Sequence, residues 1–397
     1  MRLQPTDDDI EFRDRLRAWL GPALASLPEK PPHDDWPAKR RYDTGWQRQL
    51  FDAGYAGVSW PKEYGGQGTT PSQELIFLEE TERAGAPYVG CNFVGTLHAG
   101  PTVAAVGNAE QRERHLRPIL RGDHVWCQGF SEPEAGSDLA SLRTRAVRDG
   151  DHYVVTGQKI WTSHAQVADF CELLVRTDPD APKHRGISWL IMPMDSPGIE
   201  VRPLKTLTGV SEFSEMFLDE VRIPVANLVG DENDGWRVAM VTFGFERGTA
   251  FVSELLRSQV LVEDLVRLAA SRDGGAAWAD DGIRRDLTIV AAELDALWAY
   301  TKRNVSRAAR HGNAGAGGSI FKLAYHETRE RLGALAMRIL ERDALALDEA
   351  GGSGFDHVEE RLYALSLSIA AGTAQIQKNI VAERVLGLPK ERQWTSS

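Results

Sequence analysis

The chain has 397 residues, enough for two or three domains and a large buried core. Charged residues make up 26% and apolar residues 42%, the balance of a folded globular protein, which excludes a disordered or fibrous chain. A formal charge of −11 provides no general positive field, so nucleic acid and an anionic membrane surface are not expected partners.

The opening MRLQPTDDDIEF has no apolar stretch after its arginine, and the longest apolar runs, such as Ile187 to Met194, are far short of a bilayer span. A cytoplasmic protein is expected. From Thr6, the positions Ile10, Phe12, Leu16, Trp19 and Leu20 follow helical spacing behind a Thr cap and an acidic first turn. Thr70-Pro71 opens another helix carrying Leu75, Ile76 and Leu78. Residues 1–125 therefore read as an N-terminal all-α domain. From Tyr153 onward come short β-rich runs, HYVVTG, KIWTS, DFCELLVRT, GISWLIMPM, GIEVRPL and EMFLDEVRIP, separated by Asp-Gly, Pro and Gly signals. Residues 126–235 read as an antiparallel β domain. The helical period returns after Asn233-Asp234-Gly235-Trp236 in Ile283, Leu287, Val290, Leu294, Leu297, Thr301 and Val305. Glycine-rich breaks at Gly312 to Gly318 and Gly351 to Gly354 cut residues 236–397 into long helices with short connections, as in an antiparallel bundle. The fold class is multi-domain α+β.

Two segments carry chemistry. CQGFSEPEAGSDLASL runs from Cys127 to Leu142, and GQKIWTS from Gly157 to Ser163. In SEPEAGSD, Gly136 lets backbone N–H groups approach an anion, and Ser131 and Ser137 supply hydroxyls. An ordinary Ser/Asp/Gly turn is the alternative. Trp161, flanked by Thr162 and Ser163, offers a large apolar wall with hydroxyls beside it; the alternative is a buried strand tryptophan. Cys91, Cys127 and Cys171 lack metal-ligand or CxxC spacing and read as buried reduced thiols. Ten histidines are scattered without HxxxH or HxH pairs, so no metal is expected. The basic residues Lys302, Arg303, Arg307 and Arg310 of TKRNVSRAARHG read as a solvated helical face.

Five segments, WPKEYGGQG (Trp60 to Gly68), LRGDHVWCQGFSEPEAGSDLASLRTRA (Leu120 to Ala146), GQKIWTS, VRIPVANLVGDENDGWRVAM (Val221 to Met240) and AGTAQIQKNIVAERVLG (Ala371 to Gly387), occur in one order and spacing. In these the chain resembles the acyl-CoA dehydrogenase family over nearly its whole length. The resemblance implies an N-terminal helical domain, a central β-barrel and a C-terminal four-helix bundle, with FAD between barrel and bundle. It implies that Gln128, Gly129, Phe130 and Ser131 line the pyrimidine edge of the flavin, and that Gly136 and Ser137 meet phosphates of cofactor or substrate. Trp161, Thr162 and Ser163 then form the flavin wall, and the Gly351-Gly352 turn lies near a neighbouring subunit's FAD. The implied reaction is α,β-dehydrogenation of an acyl-CoA thioester, with a base taking the Cα proton, a hydride leaving Cβ for flavin N5, and donors on the thioester carbonyl.

In many family members the base precedes the Gly-Thr of the C-terminal motif, a position that here is Ala371, followed by Gly372-Thr373. Alanine takes no proton, although the backbone N–H groups at Ala371 and Gly372 remain available to the substrate carbonyl. A second family location, a glutamate before an arginine on an earlier bundle helix, is matched by Glu246-Arg247 in VTFGFERGTAF. Glu246 is therefore the expected base, with Arg247 beside the substrate. Phe243, Phe245 and Phe251 nearby would raise its pKa if it is buried.

Two departures concern the shared half of the site. SRDGGAAWADDG (Ser271 to Gly282) stands where many members have Arg-x-x-Phe-Gly, and Asp348 stands where glutamine is usual. They resemble the bacterial branch acting on unusual acyl groups, some as heterotetramers. The expected partners are an acyl-CoA substrate, an electron-transferring flavoprotein, and further subunits in a homotetramer or a heterotetramer with a related chain. Two alternatives stay open: a flavin oxidase, monooxygenase or acyl-carrier-protein dehydrogenase on the same scaffold, and a non-catalytic subunit of a heterotetramer.

Overall fold

The computed structural model describes residues 5–32, 34–87, 90–249, 251–311, 317–345 and 355–390. Helix α1 (Asp7–Ala25) starts where the sequence predicts, because Thr6 and Asp9 cap each other: the Asp9 N–H donates to Thr6 Oγ1 and the Thr6 N–H to Asp9 Oδ2. After α2 (Trp36–Asp52), α3 (Pro71–Arg83) begins by the same reciprocal device between Thr70 and Gln73. A π-helical turn, Gly95–Ala99, runs directly into α4 (Gly100–Val106), and α5 (Ala109–Arg121) leads to the sheet.

Eight strands follow: β1 (Trp126–Gly129), β2 (Arg145–Asp149), β3 (His152–Ser163), β4 (Phe170–Arg176), β5 (Ile187–Pro193), β6 (Ile199–Leu204), β7 (Phe213–Pro224) and β8 (Leu228–Val229). Their order is β6-β7-β3-β2-β4-β5-β8, with β1 beside β4. The β1–β4 ladder and the single β2–β4 pair are parallel, and the other described ladders are antiparallel. HYVVTG and KIWTS, separate runs in the sequence, form one strand. Gly157, a turn signal in sequence, lies inside β3 because a β-carbon there would come 2.5 Å from Thr144 Oγ1.

The sheet has two apolar sides. Tyr153, Val155, Leu173, Met216 and Ile223 fill one core. Trp126 and Trp189 pack in the other with Leu120 of α5 and Val238 of α6 (Gly235–Thr249). The hydroxyls of Thr102 in α4 and Thr242 in α6 meet at 2.9 Å. Accordingly the chain divides into two compact units, Gln4–Ala250 and Phe251–Ser397, and α6 belongs with the first.

The second unit contains α7 (Val252–Ser271), the short α8 (Ala276–Ala279), α9 (Asp281–His311), α10 (Gly317–Leu340), α11 (Phe355–Ala364) and α12 (Ala374–Arg384). Ile283, Leu287, Val290, Leu294 and Leu297 form the buried stripe of α9, as their spacing predicts. They pack with Leu255 and Leu265 of α7 and Phe321 and Leu332 of α10. The glycine-rich breaks fall largely outside the described residues. No described helix is long and apolar enough to cross a membrane.

Candidate active site

Ser131 of the first motif and Ile160 of the second are 29 residues apart in sequence, and the fold joins them through the backbone: the Ile160 N–H of β3 donates to the Ser131 carbonyl at 3.0 Å. A buried ion pair holds the same junction. Lys159, fully buried, donates from Nζ to the Phe130 carbonyl at 3.1 Å and to Glu132 Oε1 at 2.8 Å. Glu132 also accepts the N–H groups of Arg143 (2.6 Å) and Thr144 (2.9 Å). Burial works against its charge, but the Lys159 ammonium with these hydrogen bonds overrides that effect and holds Glu132 below the usual carboxylate range. The loop after β1 is thereby pinned beneath β3.

Between Lys159 and Thr162 the register with β7 shifts. Lys159 pairs with Met216 and Thr162 with Ser214, so three steps on β3 match two on β7, a one-residue bulge. Trp161 sits in that bulge with φ 60° and is 58% exposed, its ring meeting Phe213 edge-on at 5.9 Å. Non-glycine residues adopt such a φ at a cost of about 1–3 kcal/mol, and strained backbone of this kind clusters where ligands bind. The buried-tryptophan alternative does not hold. Beside it, Thr162 is fully buried and its Oγ1 has no hydrogen-bond partner among the described residues, while Ser163 is half-buried.

The remaining residues of the first motif divide by what surrounds them. Ser131 is half-buried, and Gly136 and Ser137 are exposed. A β-carbon on Gly136 would meet nothing within 4 Å, so no close contact within the protein demands glycine there. Gly129 is different: a β-carbon would fall 2.8 Å from Leu173 Cδ1 and 2.9 Å from Cys171 Sγ, so packing inside the sheet requires glycine. The Phe130 side chain is also buried, against Phe243 of α6 at 5.9 Å. Its carbonyl is held by Lys159. Gln128 is half-buried and donates to Glu172 Oε1 at 2.7 Å.

Three family profiles cover this architecture: "Acyl-CoA dehydrogenase, N-terminal domain" matches residues 6–123, the middle domain 127–221 and the C-terminal domain 233–386. The chain is 37% identical to acyl-CoA dehydrogenase IpdE1 of Mycobacterium tuberculosis, over 97% of this chain and 99% of that one. The chain belongs to the acyl-CoA dehydrogenase family. Among solved structures, it resembles one chain of the ChsE4-ChsE5 complex from M. tuberculosis at TM-score 0.84 and 33% identity, covering 98% of this chain and all of that one. The Tcur3481-Tcur3483 steroid acyl-CoA dehydrogenase gives TM-score 0.84 and 32% identity, covering 98% and 100%.

For an acyl-CoA dehydrogenase, the base and the groups facing the thioester carbonyl are the next requirement. Glu246 and Arg247 lie in the last turn of α6, and their side chains are outside the described residues. Gly351 and Gly352 are outside them as well. The second unit describes the loop before α12. Ala371 and Gly372 both have positive φ, 51° and 84°. Their carbonyls face inward: Lys322 donates to the carbonyls of Ala370 and Gly372, and Gln377 Nε2 to that of Ala371 at 3.0 Å. The N–H groups of Ala371 and Gly372 make no hydrogen bond among the described residues, so this loop presents donors. Thr373 caps α12 through the Ile376 N–H.

The altered stretch Ser271 to Gly282 closes on its own unit. Arg272 donates to the Leu340 carbonyl at 2.6 Å and pairs with Asp343 at 2.9 Å. Sequence reasoning did not single out Lys159, Glu132, Glu172 or Lys322. A usable signal existed for two of them, since a lysine and a glutamate inside otherwise apolar strand runs, KIWTS and FCELLV, need buried partners. Glu254 in α7 is a further acid in the second unit, pushed up to about 6 by burial despite Arg329 and Arg257, with the Tyr363 hydroxyl at 3.3 Å.

Proposed function

We propose that the chain is an FAD-dependent acyl-CoA dehydrogenase with Glu246 as base, acting on a bulky, steroid-derived acyl-CoA thioester. The observation that carries the cofactor assignment is the junction of Ser131 with Ile160, which sets an exposed, strained Trp161 and a Thr162 hydroxyl unpartnered among the described residues beside the first motif. These residues fit FAD. The Trp161 face would cover the ring, the hydroxyls of Thr162 and Ser163 and the polar atoms of Gln128 and Ser131 would meet its edge, and the open backbone at Gly136 with Ser137 would accept a phosphate. Bound FAD would supply the hydride acceptor for Cβ. Glu246 would take the Cα proton, and the N–H groups at Ala371 and Gly372, unbonded among the described residues, would stabilise charge gathering on the thioester oxygen.

The proposed substrate class is supported by the likeness to a structure named as a steroid acyl-CoA dehydrogenase, at 32% identity. Two of the similar structures are named as assemblies of two proteins, which supports a heteromeric partner of the same family for this chain. The Arg272 contacts agree, because that stretch is engaged within its own unit. Electrons would pass to an electron-transferring flavoprotein, and a cytoplasmic location suits that chemistry.

The test is Glu246→Gln in the assembled enzyme. It should keep the flavin spectrum and thioester binding and lower turnover by about 10²–10⁴. Glu254→Gln should keep the greater part of the activity. Unchanged turnover in the first variant, or the large loss in the second alone, would overturn the assignment of the base.

A further inference from the structure

His98, Gln128 and Glu172 form a polar chain that the proposed proton and hydride transfers do not use. Three elements converge to build it. Gln128 and Glu172 are directly opposite each other in the parallel β1–β4 ladder, so their side chains share one face, and His98 comes from the π-helical turn before α4. Glu172 and His98 are buried, and Gln128 is half-buried at the end of β1. Gln128 Nε2 lies 2.7 Å from Glu172 Oε1 and 3.3 Å from His98 Nδ1.

The side-chain chemistry fixes the arrangement. Against an ionised Glu172, turning the Gln128 amide over would set an amide oxygen 2.7 Å from a carboxylate oxygen, acceptor against acceptor, so the nitrogen takes that place. An amide nitrogen only donates, so the 3.3 Å contact is a hydrogen bond in the tautomer whose Nδ1 accepts and whose proton sits on Nε2. The amide has two hydrogens, and the protein uses both. Only Oε1 of Gln128 is left for a ligand.

We propose that Glu172 and His98 are positioning residues that make Gln128 a pure acceptor, so that the ring edge bound beside it is read through an N–H donor. The inference rests on the flavin assignment above and narrows it. The pyrimidine edge of an oxidised isoalloxazine has two carbonyl oxygens and a single N–H, the imide at N3. Against a pure acceptor only that imide is complementary; a carbonyl would bring oxygen onto oxygen. A site built to accept from one N–H rejects an analogue lacking it, because the acceptor covered by the bound ring is then left unpaired.

The experiment compares binding of FAD and of N3-methylated FAD to the apoprotein by absorbance and fluorescence titration. The wild type should prefer FAD by about tenfold or more. Glu172→Gln keeps an acceptor oxygen opposite Gln128 and should keep the preference. Glu172→Leu frees the amide to turn, and Gln128→Met removes the acceptor; both should bring the ratio close to one. Far-UV circular dichroism reports whether each variant is folded. A wild-type ratio near one, with FAD bound, would overturn the inference and leave the flavin reading standing. So would a wild-type-like ratio in Glu172→Leu or, if that variant does not fold, in Gln128→Met. A wild-type protein that takes up no FAD at all would overturn both.

Discussion

Lys159→Met tests how the junction of the two motifs is held. The substitution leaves Glu132 buried with the Arg143 and Thr144 N–H groups but without its counter-charge, and it releases the Phe130 carbonyl. Removing one member of a buried pair costs about 3–5 kcal/mol. Two surviving hydrogen bonds place this case near about 3 kcal/mol, which at a urea m value on the order of 3 kcal/mol/M moves the midpoint down by about 1 M. Adding Glu132→Gln removes the stranded charge and keeps an acceptor, so the double variant should regain about 2 kcal/mol. Urea unfolding at pH 7 followed by tryptophan fluorescence reads this unit, where Trp126 and Trp189 are fully buried. Because the Glu132 pKa is depressed, its stabilisation is present above the unfolded value of 4.5 and is lost as pH falls through the folded value. The gap between wild type and Lys159→Met should therefore narrow in acid. A shift under about 0.2 M at pH 7, or strictly additive effects in the double variant, would refute the reasoning.

Trp161→Gly should leave stability within about 1 kcal/mol of wild type, or improve it, because the residue is exposed and glycine accepts its φ without strain. FAD affinity should fall in the same variant, measured by titration of the apoprotein. His115 is pushed down to about 3, first by burial, and its Nδ1 has no hydrogen-bond partner among the described residues. The unfolded chain takes up a proton near 6.5 that the folded one refuses, so stability drops as pH falls from that value toward 3. His115→Phe, among the rings of Trp126 and Phe170, should flatten the denaturation profile between pH 6 and 4 by about 1.4 kcal/mol per pH unit. Lys322→Met should loosen the loop that presents the Ala371 and Gly372 N–H groups, raising amide exchange there and lowering turnover more than flavin binding.

Local devices were legible and non-local ones were not. Thr6 and Thr70 announced their helices because each cap and its partner are three residues apart, and the α9 stripe followed from period alone. Trp161, Thr162 and Ser163 were read as a wall, and they lie on one strand. The bulge that exposes Trp161 depends on the register with β7, more than fifty residues on, which no local pattern encodes. The same holds for Lys159 with Glu132 and for Gln128 with Glu172, pairs separated by 27 and 44 residues. Gly129 and Phe130 came with the motif by adjacency; their side-chain positions are occupied in packing the sheet and α6.

The bulge in β3 also bears on how the family can vary its chemistry. An inserted residue interrupts the ladder and then returns it to step, so Lys159 and Thr162 keep their partners on β7 on either side of Trp161. The strand is anchored on both sides, by a buried salt link and by a buried threonine. What projects from the bulge is released from the alternation that holds Tyr153, Val155 and Lys159 on one buried side of the strand. A sheet built this way carries a fitting that residues able to adopt its left-handed φ could replace while the pairs on either side stay in place.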